Sequence, residues 1–298
     1  MLTEKNALIR SQVCPVRHRE FPNTASGDFA YVDKTGFIAE LEDSWCLYPF
    51  IVRSRRFGKK RFTQMLQADY DIAAAKDFER NFDGTYLGEH KTTLANTFRV
   101  IRLDFSGIDA DIFTEGFVAN VRDGPLDFSL RNNFKEGAEL LQGHYRSRAL
   151  LLTAFLFVYK QYFTDSIYFV VDEYDQGADE VLAMNIDSFR DLTRLGGGLK
   201  TFYSRIKDFA AKSTIARIFI TGVTTIQLGP MVSGLSIAKN FAANAQFTTM
   251  FGFTETELRN WIPQLVDLKR YGKSLDEVLT RMKEWYNGYC FSLQFVAN

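Results

Sequence analysis

The sequence has few of the residues that build disulfide-bonded or zinc proteins. It contains 3 cysteines, 3 histidines and 6 prolines among 298 residues. Cys14, Cys46 and Cys290 are widely spaced, which argues against a disulfide framework and a zinc-ligand pair. The longest apolar run, 149–159, is too short to cross a bilayer, and residues 1–10 lack the apolar core of a secretory signal. We therefore expect a cytoplasmic protein without a membrane partner, with delivery into a host cell left open.

The sequence also lacks an excess of charge of either sign. Lysine plus arginine and aspartate plus glutamate both number 36. This balance argues against a globally basic nucleic-acid-binding protein but leaves room for a local basic patch. The chain is 46% hydrophobic and 24% charged, an ordinary globular composition. Its 28 phenylalanines predict a core dominated by aromatic packing.

Apolar segments rich in β-forming residues alternate with helical patterns along most of the chain. Continuous apolar strands that alternate with helices predict an α/β fold with a parallel sheet covered on both faces. The predicted strands are 46–53, 97–105, 166–171 and 216–223. The helical patterns between them are 60–75, 135–163 and 198–212.

The last part of the chain has a different pattern. Thr254 and Glu257 form a capping-box sequence that opens a helix to about Val266. Ser274 and Glu277 repeat this pattern for a helix through Tyr286. We therefore predict a small C-terminal helical appendage. The expected division is an N-terminal docking segment at 1–45, a core at 46–250 and a lid-like helical subdomain at 251–298.

The first motif of chemical interest is a strand that runs into a basic, glycine-containing turn and then a helix. In a phosphate-binding loop, backbone N–H groups and a lysine contact the phosphates, and a following hydroxyl coordinates magnesium. Gly58 and Lys59 fit this pattern. Arg53 stands where the first glycine is expected, and Lys60 stands in place of the hydroxyl. A basic surface loop before a helix is the alternative interpretation.

Two carboxylates end a later apolar strand. In ATPases an aspartate at such a strand end holds magnesium, and the next glutamate polarises the attacking water. Asp172 is therefore the candidate metal ligand and Glu173 the candidate catalytic residue. Thr221, at the end of the next strand, is a candidate sensor of the γ-phosphate. The alternatives are a solvated strand end for the carboxylates and a plain turn for Thr221.

The basic side chains beside the loop fit two kinds of ligand. Arg55 and Arg56 can bind phosphate in a bidentate manner or form a local patch for nucleic acid. The predicted nucleotide-binding residues are Arg55, Arg56, Phe57, Gly58, Lys59, Lys60, Asp172 and Thr221.

Seven short blocks make the chain resemble a known family. Their order and spacing are similar to the AAA-ATPase-like proteins of bacteria and fungi, which often carry a PD-(D/E)xK nuclease-type domain after the ATPase core. The blocks are YVDKT at 31–35, RSRRFGK at 53–59, VDEYD at 171–175, TGV at 221–223, SGL at 233–235, FGFT at 251–254 and WYNGY at 285–289. The resemblance implies a P-loop NTPase-like fold that binds ATP with Mg2+.

The chain departs from the family pattern at positions that matter for chemistry. Ser54 replaces a proline, Lys60 replaces the serine that would coordinate magnesium, and Ser236 and Ile237 stand where paired asparagines are usual. Because the sequence ends shortly after the last block, we expect this chain to lack the nuclease-type domain. An ammonium at position 60 repels the cation, so we expect ATP binding with weak or no hydrolysis.

Three function classes follow from the sequence. The first is an ATP-dependent switch that sets the angle between core and appendage, with a protein partner or an oligomer as its target. The second is a pseudo-ATPase scaffold for protein interactions, and the third is a nucleic-acid-associated module.

The block at 31–35 is either part of an adenine pocket or a docking segment on the sheet edge, and we favour docking. Trp285, Tyr286 and Tyr289 are expected to be core aromatics rather than ligand contacts.

Overall fold

The computed structural model of the protein describes residues 31–107, 113–145, 147–194, 197–224 and 237–286. The predicted blocks at 233–235 and 287–289 lie outside these ranges, as do Ser236 and Gly196 of the glycine run at 196–198. Among the described residues, five strands form one all-parallel sheet in the order β2-β3-β4-β1-β5. The strands are β1 Pro49–Val52, β2 Arg99–Asp104, β3 Ile167–Asp172, β4 Ile215–Gly222 and β5 Lys239–Asn240.

Helices cover both faces of this sheet, as the sequence predicts. In chain order they are α1 Gly36–Asp43, α2 Lys59–Tyr70, α3 Phe78–Phe82, α4 Tyr86–Glu89, α5 Phe113–Arg131, α6 Lys135–Leu140, α7 Arg148–Tyr162, α8 Gln176–Met184, α9 Ile186–Thr193, α10 Gly198–Ala211, α11 Glu255–Leu265, α12 Leu268–Tyr271 and α13 Leu275–Tyr286. Short 3-10 helices lie at Ile72–Asp77 and Ala245–Phe247. No helix of the described ranges is long and apolar enough to span a bilayer.

The sheet separates two buried layers. Phe50 of β1 packs into one layer with α5, α7 and α10, whereas its neighbour Ile51 packs into the other with α1 to α4. This alternation follows from the two-residue period of a strand. All six residues of β3 are buried, as expected for a central parallel strand.

The strand order creates a crevice at the carboxyl ends of β1 and β4. These two strands are adjacent, but after β1 the chain goes to β2 at one edge, and after β4 it goes to β5 on the other side. Ligands of open parallel sheets bind at such a switch point. The loops at 53–58 and 222–224 therefore lie where a ligand is expected.

Two helix predictions are wrong in extent, and both for local reasons. The pattern at 60–75 gives α2, which ends at Tyr70 because Asp71 has an extended backbone (φ −73°, ψ 123°). The pattern at 135–163 gives two helices, because the chain leaves α6 after Leu140 and starts again where Ser147 caps α7. The hydroxyl of Ser147 accepts the N–H of Leu150 at 3.2 Å. Strand β5 was not predicted, since two exposed polar residues give no β signal.

Asp69 is a buried acid near the end of α2. Its side chain is fully buried, and neither carboxylate oxygen has a hydrogen-bond partner in the described part of the chain. Burial, with a smaller contribution from Glu42, raises the pKa of Asp69 to about 7, while Lys91 acts in the opposite direction. The folded protein therefore favours the neutral acid.

Replacing Asp69 by asparagine is expected to flatten the dependence of stability on pH. Unfolded aspartate has a pKa of about 4. Between that value and about 7 the folded state keeps the proton, so stability falls as pH rises. From pH 5 to pH 8 we expect Asp69 to account for a loss of about 2 kcal/mol. Urea unfolding at pH 5, 6, 7 and 8 measures the effect, with Asp83→Asn at an exposed position as control. Parallel pH profiles for wild type and Asp69→Asn would contradict this account.

Candidate functional site

The loop after β1 has the backbone of an anion-binding turn. Arg56 and Gly58 both adopt left-handed conformations, with φ of 68° and 96°. Gly58 is the N-cap of α2, which begins at Lys59 and has 12 residues. The N-terminus of a helix carries unpaired N–H groups and a partial positive charge, so the turn presents donors to an anion.

Lys59 is held inside this loop. Its side chain is buried, and its Nζ donates to the carbonyl oxygens of Arg53 at 3.0 Å and Ser54 at 3.1 Å. Burial lowers the pKa of Lys59, and the nearby carboxylates of Glu173 and Asp172 oppose that shift. The ammonium is thus bonded to loop carbonyls next to the acidic end of β3.

Arg53 holds the start of the loop in place through hydrogen bonds to backbone carbonyls. It is 1% exposed, and its guanidinium donates to the carbonyl oxygens of Val52 at 2.7 Å, Ala242 at 2.9 Å and Phe247 at 3.0 Å. Burial lowers the pKa of Arg53 to about 10, which still leaves it charged at neutral pH. The residue that replaces the first glycine of the motif therefore ties β1 to the segment 242–247. No local sequence pattern predicts this role.

The Lys60 side chain reaches the end of β2, the edge strand of the sheet. Its Nζ lies 2.9 Å from Oδ2 of Asp104, the last residue of β2. Burial raises the pKa of Asp104, but hydrogen bonds from Ser106 and Lys60 outweigh burial and lower it. Asp104 was not predicted as a site residue. It is the register partner of Asp172 on β3, so the Lys60–Asp104 pair lies at the same end of the sheet as the predicted metal ligand.

Asp172 is buried and contacts a residue that sequence reasoning missed. The Thr63 hydroxyl lies 3.2 Å from Asp172 Oδ2 and 2.8 Å from the Lys60 carbonyl oxygen. Burial, with Asp104 and Glu173, raises the pKa of Asp172 to about 7. Thr63 lies one helical turn after Lys59, on the same face of α2, and this spacing could have identified it.

Glu173 and Asp175 shape the end of β3. Glu173 has φ of 51°, an uncommon conformation for glutamate that the neighbouring contacts must stabilise. Asp175 Oδ2 accepts the backbone N–H groups of Val223 at 2.9 Å and Thr224 at 2.6 Å. The acidic segment at 172–175 is therefore hydrogen-bonded to the loop after β4. Asp175 appeared only as part of a sequence block, without a role.

The remaining predicted residues divide between interior and rim. Thr221 is fully buried in β4 opposite Ile51 of β1, and its hydroxyl lacks a partner among the described residues. Arg55 and Arg56 are exposed, and Arg55 donates to Gln176 Oε1 at 3.0 Å. Thr221 thus lies inside the sheet, whereas the two arginines lie on the exposed rim of the loop after β1.

A cavity of about 1030 Å³ opens between the loop and the C-terminal helices. The residues that line it come from the block at 31–35, the loop after β1, α2, the segment before α11, and the helices α11 and α13. They are Tyr31, Val32, Lys34, Arg55, Arg56, Phe57, Gly58, Arg61, Phe62, Met65, Met250, Phe251, Gly252, Phe253, Glu255, Leu258, Trp261, Leu279, Met282, Lys283 and Tyr286. The lining is mostly apolar and aromatic, and its charged residues are predominantly basic. Such a cavity suits a flat apolar group attached to an anionic one.

Two smaller predictions concern the block at 31–35 and the aromatic residues near the end of α13. Asp33 accepts the N–H groups of Thr35 at 2.8 Å and Tyr86 at 2.6 Å, so it joins this block to the start of α4, and its role as a docking segment stays a prediction. Neighbouring Tyr31 nonetheless lines the cavity. The prediction that Trp285 and Tyr286 are core aromatics is wrong, since they are 71% and 72% exposed. They lie in the last turn of α13, whose single buried residue among those described is Leu279, and Tyr289 lies outside the described residues.

The residues present fit a nucleotide better than they fit magnesium. The loop, the start of α2 and Lys59 supply donors for phosphates. A magnesium ion requires oxygen ligands, yet position 60 supplies an ammonium group 2.9 Å from Asp104. Within the described ranges no three side chains of the metal-binding types converge.

Comparisons with known proteins agree with this geometry. A family model described as AAA-ATPase_like, "Predicted AAA-ATPase", matches residues 15–231. A curated protein of Azotobacter chroococcum mcd 1, named "Uncharacterized protein in vnfD 5'region", is 27% identical over 294 residues, which cover 95% of this chain. The chain spans 50% of the length of that relative. No solved structure gives a significant match. Because the family model covers more than half of the sequence, the chain belongs to the AAA-ATPase-like family.

Proposed function

We propose that this chain is a P-loop module that binds ATP. The phosphates contact the loop at 53–58 and the first turn of α2, and the observation that carries this proposal is the position of Lys59. Its ammonium is held by two carbonyls of the loop, at 3.0 Å and 3.1 Å, and a phosphate entering the loop competes with these bonds. Arg55 and Arg56 at the rim offset further phosphate charge.

The base and sugar occupy the cavity beside the loop. Its volume of about 1030 Å³ accommodates a nucleotide, and its apolar walls come from the loop side and from the C-terminal helices. Phe57 belongs to the loop, and Trp261 and Tyr286 belong to α11 and α13. In this proposal the core at 46–250 binds the phosphates and the C-terminal subdomain at 251–298 closes over the nucleotide, which makes the chain a nucleotide-dependent switch.

Hydrolysis in this site is slow or absent. In this site Asp172 is the carboxylate that can contact a metal ion, and Glu173 is the residue that can polarise the attacking water. Thr221, at the end of β4, is the residue that can sense the γ-phosphate. Lys60 places a positive charge beside Asp104, where it disfavours a second cation. The nucleotide is therefore bound more effectively than it is hydrolysed.

Thermal unfolding with ATP or ADP, each with and without magnesium, tests the binding proposal. A ligand at 100 times its Kd stabilises the folded state by about 2.7 kcal/mol. We expect this stabilisation without magnesium, and we expect Lys59→Ala to abolish it because the buried ammonium is lost. Lys76→Ala, an exposed lysine beyond the end of α2, is the control. Absence of any nucleotide effect on wild type would favour a pseudo-ATPase scaffold. Binding of DNA or RNA with a steep salt dependence would favour the nucleic-acid-associated class.

A further inference from the structure

A backbone hydrogen bond joins the phosphate loop to the segment that leads into α11. The N–H of Gly252 donates to the carbonyl oxygen of Phe57 at 3.0 Å. Phe57 lies at the tip of the loop, directly before Gly58. Gly252 lies two residues before Thr254, the N-cap of α11. Two blocks that the sequence marks separately, at 53–59 and 251–254, are therefore in direct contact.

Position 252 accepts only glycine without distortion. Gly252 has φ of +76°, a conformation that costs an L-residue about 1–2 kcal/mol. A Cβ atom there would lie 3.2 Å from Cδ1 and 3.3 Å from Cε1 of the Phe57 ring. Both the backbone conformation of the segment and the position of the Phe57 ring thus depend on this glycine.

Different contacts hold the base of the loop, at Arg53, and its tip, at Phe57. At the base, the buried guanidinium of Arg53 binds the carbonyls of Ala242 and Phe247. At the tip, the Phe57–Gly252 bond lies on the cavity wall beside the exposed Gly58. The base is therefore held by a buried guanidinium, and the tip is held by a backbone hydrogen bond at the cavity wall.

Polar contacts connect the segment that follows Gly252 with both C-terminal helices. The capping box of Thr254 and Glu257 fixes the start of α11. Glu255 on α11 pairs with Lys283 on α13 at 2.6 Å, and α11 and α13 are further linked through Arg259 and Asp276 at 2.7 Å. The two helices are therefore linked to each other, and residues of both line the cavity.

We propose that the Phe57–Gly252 contact couples the state of the phosphate loop to the position of α11 and α13. Occupation of the loop fixes Phe57, which fixes the backbone at Gly252 and holds the two helices over the cavity. This regulation rests on the proposed nucleotide binding. By linkage, helices held in the closed position also tighten binding at the loop.

The first experiment measures the coupling without nucleotide. Hydrogen exchange of residues 55–60 is compared in wild type, Gly252→Ala and Gly272→Ala. Gly272 has nearly the same backbone, with φ of +70°, but a Cβ there meets nothing within 4 Å. We expect roughly ten-fold faster exchange of the loop in Gly252→Ala, the rate equivalent of the backbone cost, and wild-type rates in Gly272→Ala. If Gly252→Ala does not fold, Gly252→Asn replaces it, because asparagine tolerates the left-handed backbone and still brings a Cβ to Phe57.

The second experiment adds ATP. Calorimetry measures binding, and hydrogen exchange of α11 and α13 measures closure. In wild type and Gly272→Ala, ATP is expected to slow exchange in both helices. In Gly252→Ala we expect binding to persist at an affinity about 5- to 150-fold weaker, the usual range of coupling between sites, with the slowing lost.

The outcomes separate this inference from the proposed function. If wild type does not bind ATP, the proposed function fails, and the exchange of the loop in the nucleotide-free variants still decides the coupling. Equal loop exchange in Gly252→Ala and Gly272→Ala overturns the coupling. Equal slowing of α11 and α13 by ATP in all variants also overturns it.

Discussion

Arg53→Ala is expected to destabilise the protein by about 3–5 kcal/mol, the largest effect of any single change considered for this chain. The substitution removes a charged donor that binds the carbonyls of Val52, Ala242 and Phe247 in a site that is 1% exposed. Each carbonyl would lose a charge-assisted partner, and water has little access to replace it. Arg53→Lys is expected to lose most of the same stability, because one ammonium group does not reproduce the planar fork of the guanidinium.

Urea unfolding at pH 7 measures the loss, and Arg80→Ala is the matched control. Arg80 is 70% exposed and pairs with Asp77 across one helical turn, so its removal is expected to change stability by less than about 0.5 kcal/mol. A cost below about 1 kcal/mol for Arg53→Ala would show that the guanidinium is not the anchor described above. The result also bears on the motif, because it would explain why an arginine stands where a phosphate loop normally has a glycine.

Lys60→Ser is expected to raise the affinity for ATP in the presence of magnesium by about 100-fold, or about 2.7 kcal/mol. Two unit charges 4 Å apart interact by about 4 kcal/mol near a protein surface, and a divalent ion doubles this repulsion. Removing the ammonium removes the repulsion, and serine supplies an oxygen ligand of the kind that magnesium prefers. The folded state loses little, since the pair with Asp104 has a lysine side chain that is 56% exposed.

Lys60→Ala separates the two contributions. It removes the positive charge without adding a hydroxyl, so we expect it to gain only part of the affinity that Lys60→Ser gains. Calorimetric titration with ATP, with and without magnesium, gives the comparison for all three proteins. The idea would be refuted if wild type bound ATP more tightly with magnesium than Lys60→Ser does. Rapid magnesium-dependent hydrolysis by wild type, lost in Glu173→Gln, would refute it as well.

The loop geometry was largely accessible from sequence because its determinants are local. An apolar strand, a glycine and a following helix specify the turn within a few residues, and Gly58 and Lys59 lie where the pattern predicts. The same holds for the C-terminal capping boxes. The N–H of Glu257 donates to the Thr254 hydroxyl at 3.2 Å, and the N–H of Glu277 donates to the Ser274 hydroxyl at 3.2 Å.

The partners of the side chains in the site could not be predicted from local sequence patterns. Lys60 pairs with Asp104 at the end of another strand, and Thr63 contacts Asp172 across the core. These contacts depend on which strands are neighbours in the sheet. Strand order follows from the packing of all helices on both faces and leaves no signal in a short segment of sequence. The exposed position of Trp285 was missed for a related reason, since an aromatic residue on a helix does not reveal which side faces a neighbour.

The sequence by itself determined the α/β class, the four longer strands, the strand–glycine–helix arrangement around Gly58 and the family, because each rests on local pattern or on the order of short blocks. Only the tertiary structure decided how the loop is held. It showed Arg53 as a buried anchor and Lys60 beside Asp104, and it placed Gly252 against Phe57. These contacts join segments far apart in the chain, and they form only when the folded sheet brings the ends of its strands to one edge.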